Sequence, residues 1–191
     1  MKNSKKMLAF DIILTILLII YDQYTKILIT PLKNSEPIVY INNVLEITYL
    51  ENRGAAFGIL QGQRILFILI AAVVLVVMGF FFVKIPAKKK YIKLNVSLVL
   101  ILAGALGNTI DRASFGYVRD FIYFKIINFP VFNVADIYIT CSTIWLAIMI
   151  LFCFKENDLD FLIPKEKKTV RNDAITNAVS SDKTSVDDKD K

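Results

Sequence analysis

The sequence predicts a membrane α-helical protein with four transmembrane helices, and two observations lead to this fold class. First, 55% of the 191 residues are apolar and the mean hydropathy is +0.54, which excludes a disordered chain and is unusual for a water-soluble globule. Second, four apolar stretches approach the ~20 residues that a helix needs to cross a bilayer. They lie at about residues 7–29, 65–83, 94–110 and 137–154.

The first stretch follows three lysines, an arrangement that also begins secretory signal peptides. A cleavage site made of small residues should then follow, but residues 19–24 read Ile-Ile-Tyr-Asp-Gln-Tyr and are bulky or polar. We therefore expect an uncleaved first span. The other three stretches contain no charged residue, which supports reading each of them as a span.

The segment between the first two spans is β-prone. Residues 38–41 and 44–50 are rich in β-branched and aromatic side chains, and Asn42-Asn43 between them is a plausible turn. We expect a small β-rich external subdomain at about residues 31–64. The chain then divides into a four-span domain, residues 1–154, and a polar tail, residues 155–191, which we expect to be disordered because it lacks an apolar period.

The distribution of basic residues predicts the orientation of the spans. The N-terminal segment, the 84–93 loop and the tail together hold 16 Lys and Arg, whereas residues 22–64 and 111–134 hold 7. Because cytoplasmic loops carry the excess of Lys and Arg, both termini are predicted to be cytoplasmic. The two longer loops are then external.

Missing residue types exclude several kinds of chemistry. The chain has no histidine, which removes Ser–His and Cys–His nucleophile pairs and every His-based metal site. Its two cysteines, Cys141 and Cys153, are twelve residues apart in one span, roughly 18 Å along a helix, and cannot bridge each other. We predict no metal and no cofactor. Any hydrolysis must use carboxylates, hydroxyls, amines or backbone groups.

Polar residues near the spans are costly in a membrane and are therefore the first candidates for function. Seven of them fall at the external ends of the spans or in the loop between the last two, and so occupy one layer. None is placed at the middle of a span, where a transporter site is expected. The seven residues are Asp22, Asn108, Asp111, Arg112, Asp120, Asn133 and Asp136.

Asp120 and Asp136 both lie in apolar surroundings. Two carboxyls brought together where water is scarce cannot both ionise cheaply, so they share a proton. The ionised member can then take a proton from water while the other donates to a carbonyl oxygen, which is enough to hydrolyse a peptide bond. The alternative is that these interfacial aspartates only mark the ends of spans, and spacing alone does not exclude it.

Two further patterns have a functional and a structural interpretation. Asn108, Asp111 and Arg112 share a helical face, so Asn108 and Arg112 could hold substrate carbonyls while Asp111 orients the arginine. A local Asp–Arg cap at the end of the helix would give the same spacing. Asp22 and Lys26, four residues apart, are most simply a surface pair at the end of the first span.

The chain resembles the bacterial lipoprotein signal peptidases, the signal peptidase II family, in five short segments. They occur in the family's order on a four-span scaffold, and the resemblance covers about residues 8–150. The segments are Asp-Gln-Tyr-Thr-Lys at 22–26, Asn-Arg-Gly-Ala-Ala-Phe-Gly at 52–58, Gly-Ala-Leu-Gly-Asn-Thr-Ile-Asp-Arg at 104–112, Gly-Tyr-Val-Arg-Asp-Phe at 116–121 and Phe-Asn-Val-Ala-Asp at 132–136.

The resemblance implies an aspartic endopeptidase of the bacterial cytoplasmic membrane with its active site at the external face. It would cut diacylglyceryl-modified prolipoproteins just before the lipidated cysteine. Its partners would be these substrates and membrane lipids, with no nucleic acid. By the same resemblance, Asp120 and Asp136 match the catalytic pair. The residues that match those supporting the pair or holding substrate are Asp22, Asn52, Asn108, Asp111, Arg112 and Asn133.

The chain departs from the usual family pattern at Glu51, Arg119 and Ile137, and one rival function remains. Arg119 stands beside Asp120 where the family usually has an aliphatic residue, and it could shift the pH range of the pair. We expect a weak effect, because residues 117–123 are β-prone and neighbouring side chains of an extended chain point to opposite faces. The rival function is a non-enzymatic membrane protein, such as a small transporter subunit or an assembly scaffold.

Overall fold

In the part of the chain that the computed structural model describes, four helices are long and apolar enough to cross a membrane. They are α1 (Lys2–Ile29), α2 (Arg64–Lys84), α3 (Ile92–Phe115) and α4 (Val134–Ile148), the last continuing as a π-helical turn over Met149–Cys153. The predicted fold class of four apolar helices is confirmed.

The structure describes residues 2–54, 59–155, 158, 159 and 161, with side chains from residue 5 onwards. The chain divides into two units, residues 1–150 and 151–191. Residues 55–58 of the Asn-Arg-Gly motif lie outside the described residues, as does most of the tail for which disorder was predicted.

Helix α3 is the centre of the bundle. It packs against α1, α2 and α4, and most of its apolar part is buried, whereas almost all of the apolar part of α2 is exposed. The remaining surface of α1, α2 and α4 carries exposed Ile, Leu, Val and Phe side chains, which suits a lipid environment. Functional groups on α3 therefore face other helices rather than lipid.

Two glycines let the neighbouring helices approach α3 closely. A Cβ atom on Gly104 would lie 2.5 Å from the carbonyl oxygen of Ala135 in α4. A Cβ atom on Gly107 would lie 2.5 Å from the Asp22 carboxylate of α1. Small residues at these positions are typical of closely packed membrane helices.

A three-stranded antiparallel sheet lies beside the bundle, in the order β1 (Ile38–Ile41), β2 (Leu45–Asn52) and β3 (Val118–Phe124). The first two strands confirm the predicted hairpin, with Asn43 at its turn in the left-handed region, φ +57°. The third strand comes from the loop between α3 and α4, so the sheet extends beyond the predicted insert. This pairing joins the two long loops.

The register of β2 against β3 aligns two polar side chains. Leu50 pairs with Asp120 and Asn52 pairs with Val118, so Asn52 and Asp120 are diagonal neighbours on one face. The chain enters β3 through Gly116, whose φ of +82° caps α3 in the left-handed region that glycine favours. The end of α3 thereby fixes where β3 begins.

We expect Gly104→Ala to destabilise the protein by about 1–3 kcal/mol, because the added methyl group meets backbone that cannot shift cheaply. Thermal unfolding of the detergent-solubilised protein, followed by circular dichroism, measures this loss. Gly79→Ala in α2 is the matched control, since a Cβ atom there has no described atom within 4 Å. Equal losses in the two variants would contradict the close contact between α3 and α4.

Candidate active site

The candidate site lies where the C-terminal ends of α1 and α3, the N-terminus of α4 and the paired strands β2 and β3 meet. The structure brings all eight predicted site residues to this place, and one side chain, Asn133, links Asp120 to Asp136. Asn133 contacts both of them: its Nδ2 donates to Asp120 Oδ1 at 2.6 Å, and its backbone N–H donates to Asp136 Oδ2 at 3.0 Å.

Asp120 is buried, with 2% of its surface exposed. Its second carboxyl oxygen, Oδ2, accepts a hydrogen bond from Asn52 Nδ2 at 2.8 Å. Burial raises the pKa of Asp120 to about 7, and the nearby charge of Asp136 acts in the same direction, whereas the hydrogen bonds from Asn52 and Asn133 lower the pKa. Asp120 can therefore hold its proton close to neutral pH.

Asp136 occupies the first turn of α4 and is only half-buried. The backbone N–H of Asp136 donates to Asn133 Oδ1 at 3.2 Å, which with the reciprocal bond completes a capping box. The other carboxylate oxygen of Asp136 accepts from Asn108 Nδ2 at 2.8 Å. The capping box and the hydrogen bond from Asn108 thus hold this carboxylate in one orientation.

Lys26 sets the orientation of the Asn108 amide. Lys26 Nζ donates to Asn108 Oδ1 at 2.9 Å, and an ammonium group has no acceptor. The oxygen of the amide must therefore face Lys26, which leaves the nitrogen facing Asp136. Asn133 Nδ2 also donates to Asn108 Oδ1, at 3.1 Å.

Lys26 and Asp22 form a buried ion pair, so the prediction of a surface pair was wrong. Both side chains have 0% exposure, and Lys26 Nζ lies 2.9 Å from Asp22 Oδ2 and 3.9 Å from Asp111 Oδ2. Asp22 Oδ1 accepts from the backbone N–H of Ala135 at 3.0 Å, in the first turn of α4. The i, i+4 spacing predicts the pairing, but burial depends on the packing of α3 and α4.

Asp111 pairs with Arg119 rather than with Arg112, so both interpretations of the 108–112 pattern were wrong about its partner. Adjacent residues on a helix do not face each other, and Asp111 instead accepts from Arg119 Nε at 3.0 Å and from Nη2 at 2.8 Å. The backbone N–H of Arg119 donates to the same carboxylate at 3.0 Å. The ion pair is buried on both sides.

The prediction that the chain is extended at Arg119 and Asp120 is confirmed, since both lie in β3. Alternation along the strand sends Arg119 to Asp111 and Gln23, where Nη2 donates to Gln23 Oε1 at 3.0 Å. Asp120 faces Asn52 and Asn133 on the other side. The arginine does not hydrogen-bond the aspartate beside it among the described contacts.

Arg112 links the turn that follows β2 to α3 and α2. Its Nη2 donates to the carbonyl oxygen of Gly54 at 2.9 Å, and its guanidinium lies over the ring of Phe67, 4.2 Å from the centroid. The Asn52 side chain accepts from the Gly54 N–H at 2.9 Å. Arg112 thus indirectly steadies the turn that carries Asn52.

Sequence reasoning did not identify the supporting roles of Gln23, Lys26 and Arg119. Gln23 joins α1 to α3, because its Nε2 donates to the carbonyl oxygen of Gly107 and to Asp111 Oδ1, each at 3.1 Å. Lys26 and Arg119 supply the buried cations. Each of the three lies inside one of the five short segments quoted in the sequence analysis, yet only three-dimensional packing shows what it contacts.

We expect Arg119→Leu to lower the free energy of unfolding by about 3–5 kcal/mol, because it leaves the buried Asp111 carboxylate without its partner. Chemical unfolding of the purified protein measures the loss. Arg53→Gln is the matched control, since Arg53 is 58% exposed in its ion pair with Glu51 and such pairs contribute about 0–1 kcal/mol. A similar, small loss in both variants would contradict a structural role for the Asp111–Arg119 pair.

Comparison with known proteins identifies the family. The model of the signal peptidase (SPase) II family matches residues 14–152, a range that contains all eight site residues. Lipoprotein signal peptidase of Clostridioides difficile is 42% identical over 142 residues, covering 74% of this chain and 94% of its own length. That of Streptococcus agalactiae is 43% identical over 137 residues, covering 71% and 88%.

A solved structure agrees with this assignment. A bacterial membrane enzyme determined by the in meso method at 2.3 Å resolution is 36% identical, with a TM-score of 0.67, and the match covers 78% of this chain and 91% of that chain. Family match, sequence identity and fold all point the same way. The chain belongs to the signal peptidase II family.

Proposed function

We propose that this protein removes signal peptides from diacylglyceryl-modified prolipoproteins, with Asp120 and Asp136 as the catalytic pair of an aspartic endopeptidase. Membership of the signal peptidase II family supports the reaction. The sharing of Asn133 between the two carboxyls is the observation that carries the assignment of the pair. Residues 1–154 form the peptidase domain in this proposal.

The two carboxyls divide the work. Asp136 acts as the base and takes a proton from a water molecule, whose oxygen forms a bond to the carbonyl carbon of the scissile peptide. Asp120, which holds its proton near pH 7, donates that proton to the carbonyl oxygen. Asp136 then gives its proton to the amide nitrogen while Asp120 takes a proton back from one of the two hydroxyls on the same carbon. The C–N bond breaks, the signal peptide leaves with a new carboxyl end, and both carboxyls return to their starting states.

The remaining site residues hold the pair and the substrate. Asn108 and Asn133 orient Asp136, Asn52 and Asn133 orient Asp120, and Asp22 and Asp111 support them through Lys26. Arg112 binds substrate carbonyl oxygens. Its guanidinium makes one hydrogen bond among the described residues, to Gly54, which leaves N–H donors for a ligand.

The position of the site suits a substrate that carries a lipid. The pair lies at the ends of three apolar helices, where the lipid of a prolipoprotein can stay in the bilayer while the peptide bond before the lipidated cysteine reaches the carboxyls. The excess of Lys and Arg on the other side of the spans supports an active site at the external face of the bacterial cytoplasmic membrane, with both termini in the cytoplasm.

We expect Asp120→Asn and Asp136→Asn each to reduce turnover of a diacylglyceryl-modified prolipoprotein at least about a hundredfold, because an amide cannot exchange the proton that general acid–base catalysis requires. Incubation of purified variants with substrate, followed by separation of the cleaved product, measures this. Asp11→Asn, which alters a buried carboxyl elsewhere on α1, should keep its activity. More than a hundredth of wild-type turnover in either dyad variant would refute the pair.

The pH dependence of kcat/KM should show a basic limb near pH 7. Activity in this mechanism requires protonated Asp120, so it falls as pH rises through the pKa of about 7. Asn52→Leu removes a hydrogen bond that lowers this pKa. The pKa should therefore rise, and the basic limb should move upward by about 0.5–1 unit, since one hydrogen bond contributes about 0.5–1.5 kcal/mol.

The control for the pH experiment is Asn42→Leu, the same change at an exposed position in the turn before β2. It should leave the basic limb in place. A downward shift with Asn52→Leu, or equal shifts in both variants, would show that Asp120 is not the group whose proton the rate requires.

A further inference from the structure

Two apolar cavities flank the N-terminal half of α3, away from the catalytic site. The first, about 450 Å³, lies between α1 and α3, and the second, about 490 Å³, lies between α3 and α4. Ile92 and Val96 line both cavities and form a ridge between them. Asn95, on the wall of the first cavity, is thirteen residues from Asn108, which is about 20 Å along the helix.

Basic side chains surround these cavities. Lys6, Lys88 and Lys89 line the first cavity and are exposed, and Lys93 lines the second. Among the described residues that line the two cavities, none is acidic. Asp11 is the nearest acid along α1; it is buried and accepts a hydrogen bond from Asn95 Nδ2. The mouth of the first cavity is therefore positively charged.

We propose that one anionic phospholipid straddles the ridge of Ile92 and Val96. Its phosphate binds Lys6, Lys88 and Lys89, and its two acyl chains occupy the two cavities. This assigns a lipid site to the end of the bundle opposite the peptidase site. It is independent of the proposed catalytic pair.

The chemistry of the cavities favours this occupant. Phe10 and Ile92 give the first cavity apolar walls, and Trp145 and Leu100 do so in the second, so both suit hydrocarbon chains. Lysines at the end of a membrane helix attract anionic headgroups, and basic pockets between such helices bind them. A zwitterionic lipid fits the same cavities, but its headgroup is attracted less strongly by the lysines.

The single tryptophan of the chain gives a direct test. Trp145 lines the second cavity, and Lys93 Nζ lies 5.7 Å from the centroid of its ring. Full-length protein is reconstituted in vesicles of phosphatidylcholine with phosphatidylglycerol, and one of the two lipids is brominated on its acyl chains at a time. Quenching of Trp145 fluorescence at matched mole fractions then gives the relative affinity of the two lipids.

Each lysine near the surface attracts an anionic lipid by about fivefold, so we expect the three lysines to make phosphatidylglycerol bind at least about 25-fold more tightly than phosphatidylcholine. Lys88→Gln/Lys89→Gln leaves Lys6 in place and should reduce this preference at least about fivefold. The matched control, Lys5→Gln/Lys84→Gln, removes the same charge from exposed residues at the same end but outside the cavity linings, and it should keep the preference.

Three results would overturn the proposal. Equal quenching by the two lipids in the wild type would show that the cavities do not select an anionic lipid. An equal loss of preference in both double variants would assign the effect to diffuse charge rather than to a site. Quenching that neither brominated lipid produces, together with cross-linked dimers, would show that a second copy of the chain covers this face.

Discussion

The rest of the site depends on the contacts of one buried group, the ammonium of Lys26. It neutralises Asp22, lies 3.9 Å from Asp111 and fixes the amide of Asn108. Charges removed from water are tolerated only when they are paired and fully hydrogen-bonded. Arg119 is the second cation. Among the described residues of this polar layer, the positive charges of Lys26 and Arg119 balance the negative charges of Asp22 and Asp111. This balance allows three helices to meet at a polar point inside an apolar bundle.

Among the described contacts, the cations of this layer do not hydrogen-bond Asp120, although the charge of Lys26 lowers its pKa. The hydrogen-bond partners that the structure describes for this carboxyl are the neutral amides of Asn52 and Asn133, which lower its pKa less than burial raises it. An arginine bonded there would favour the ionised form and remove the acid from the pair. Neutral donors position the carboxyl and leave its proton available near neutral pH.

What the sequence could predict depends on whether a feature rests on neighbouring residues or on contacts between distant parts of the chain. The four helices and the first hairpin depend on local apolar patterns and turn residues, so they were predictable, and the eight site residues stand in short motifs. The burial of Lys26 and the Asp111–Arg119 pair depend on the way α1, α3 and β3 pack, which no local pattern contains. The adjacency of Asp111 and Arg112 even suggested the wrong partner.

The Asp111–Arg119 pair has a consequence beyond charge balance, because it sets the register of β3. A one-residue slip of a strand sends every side chain to the opposite face, and here it would exchange Arg119 for Asp120. Asp111 prevents this by binding both the backbone N–H and the side chain of Arg119, three residues after Gly116 ends α3. Arg119 thus holds Asp120 on the face where Asn52 and Asn133 contact it.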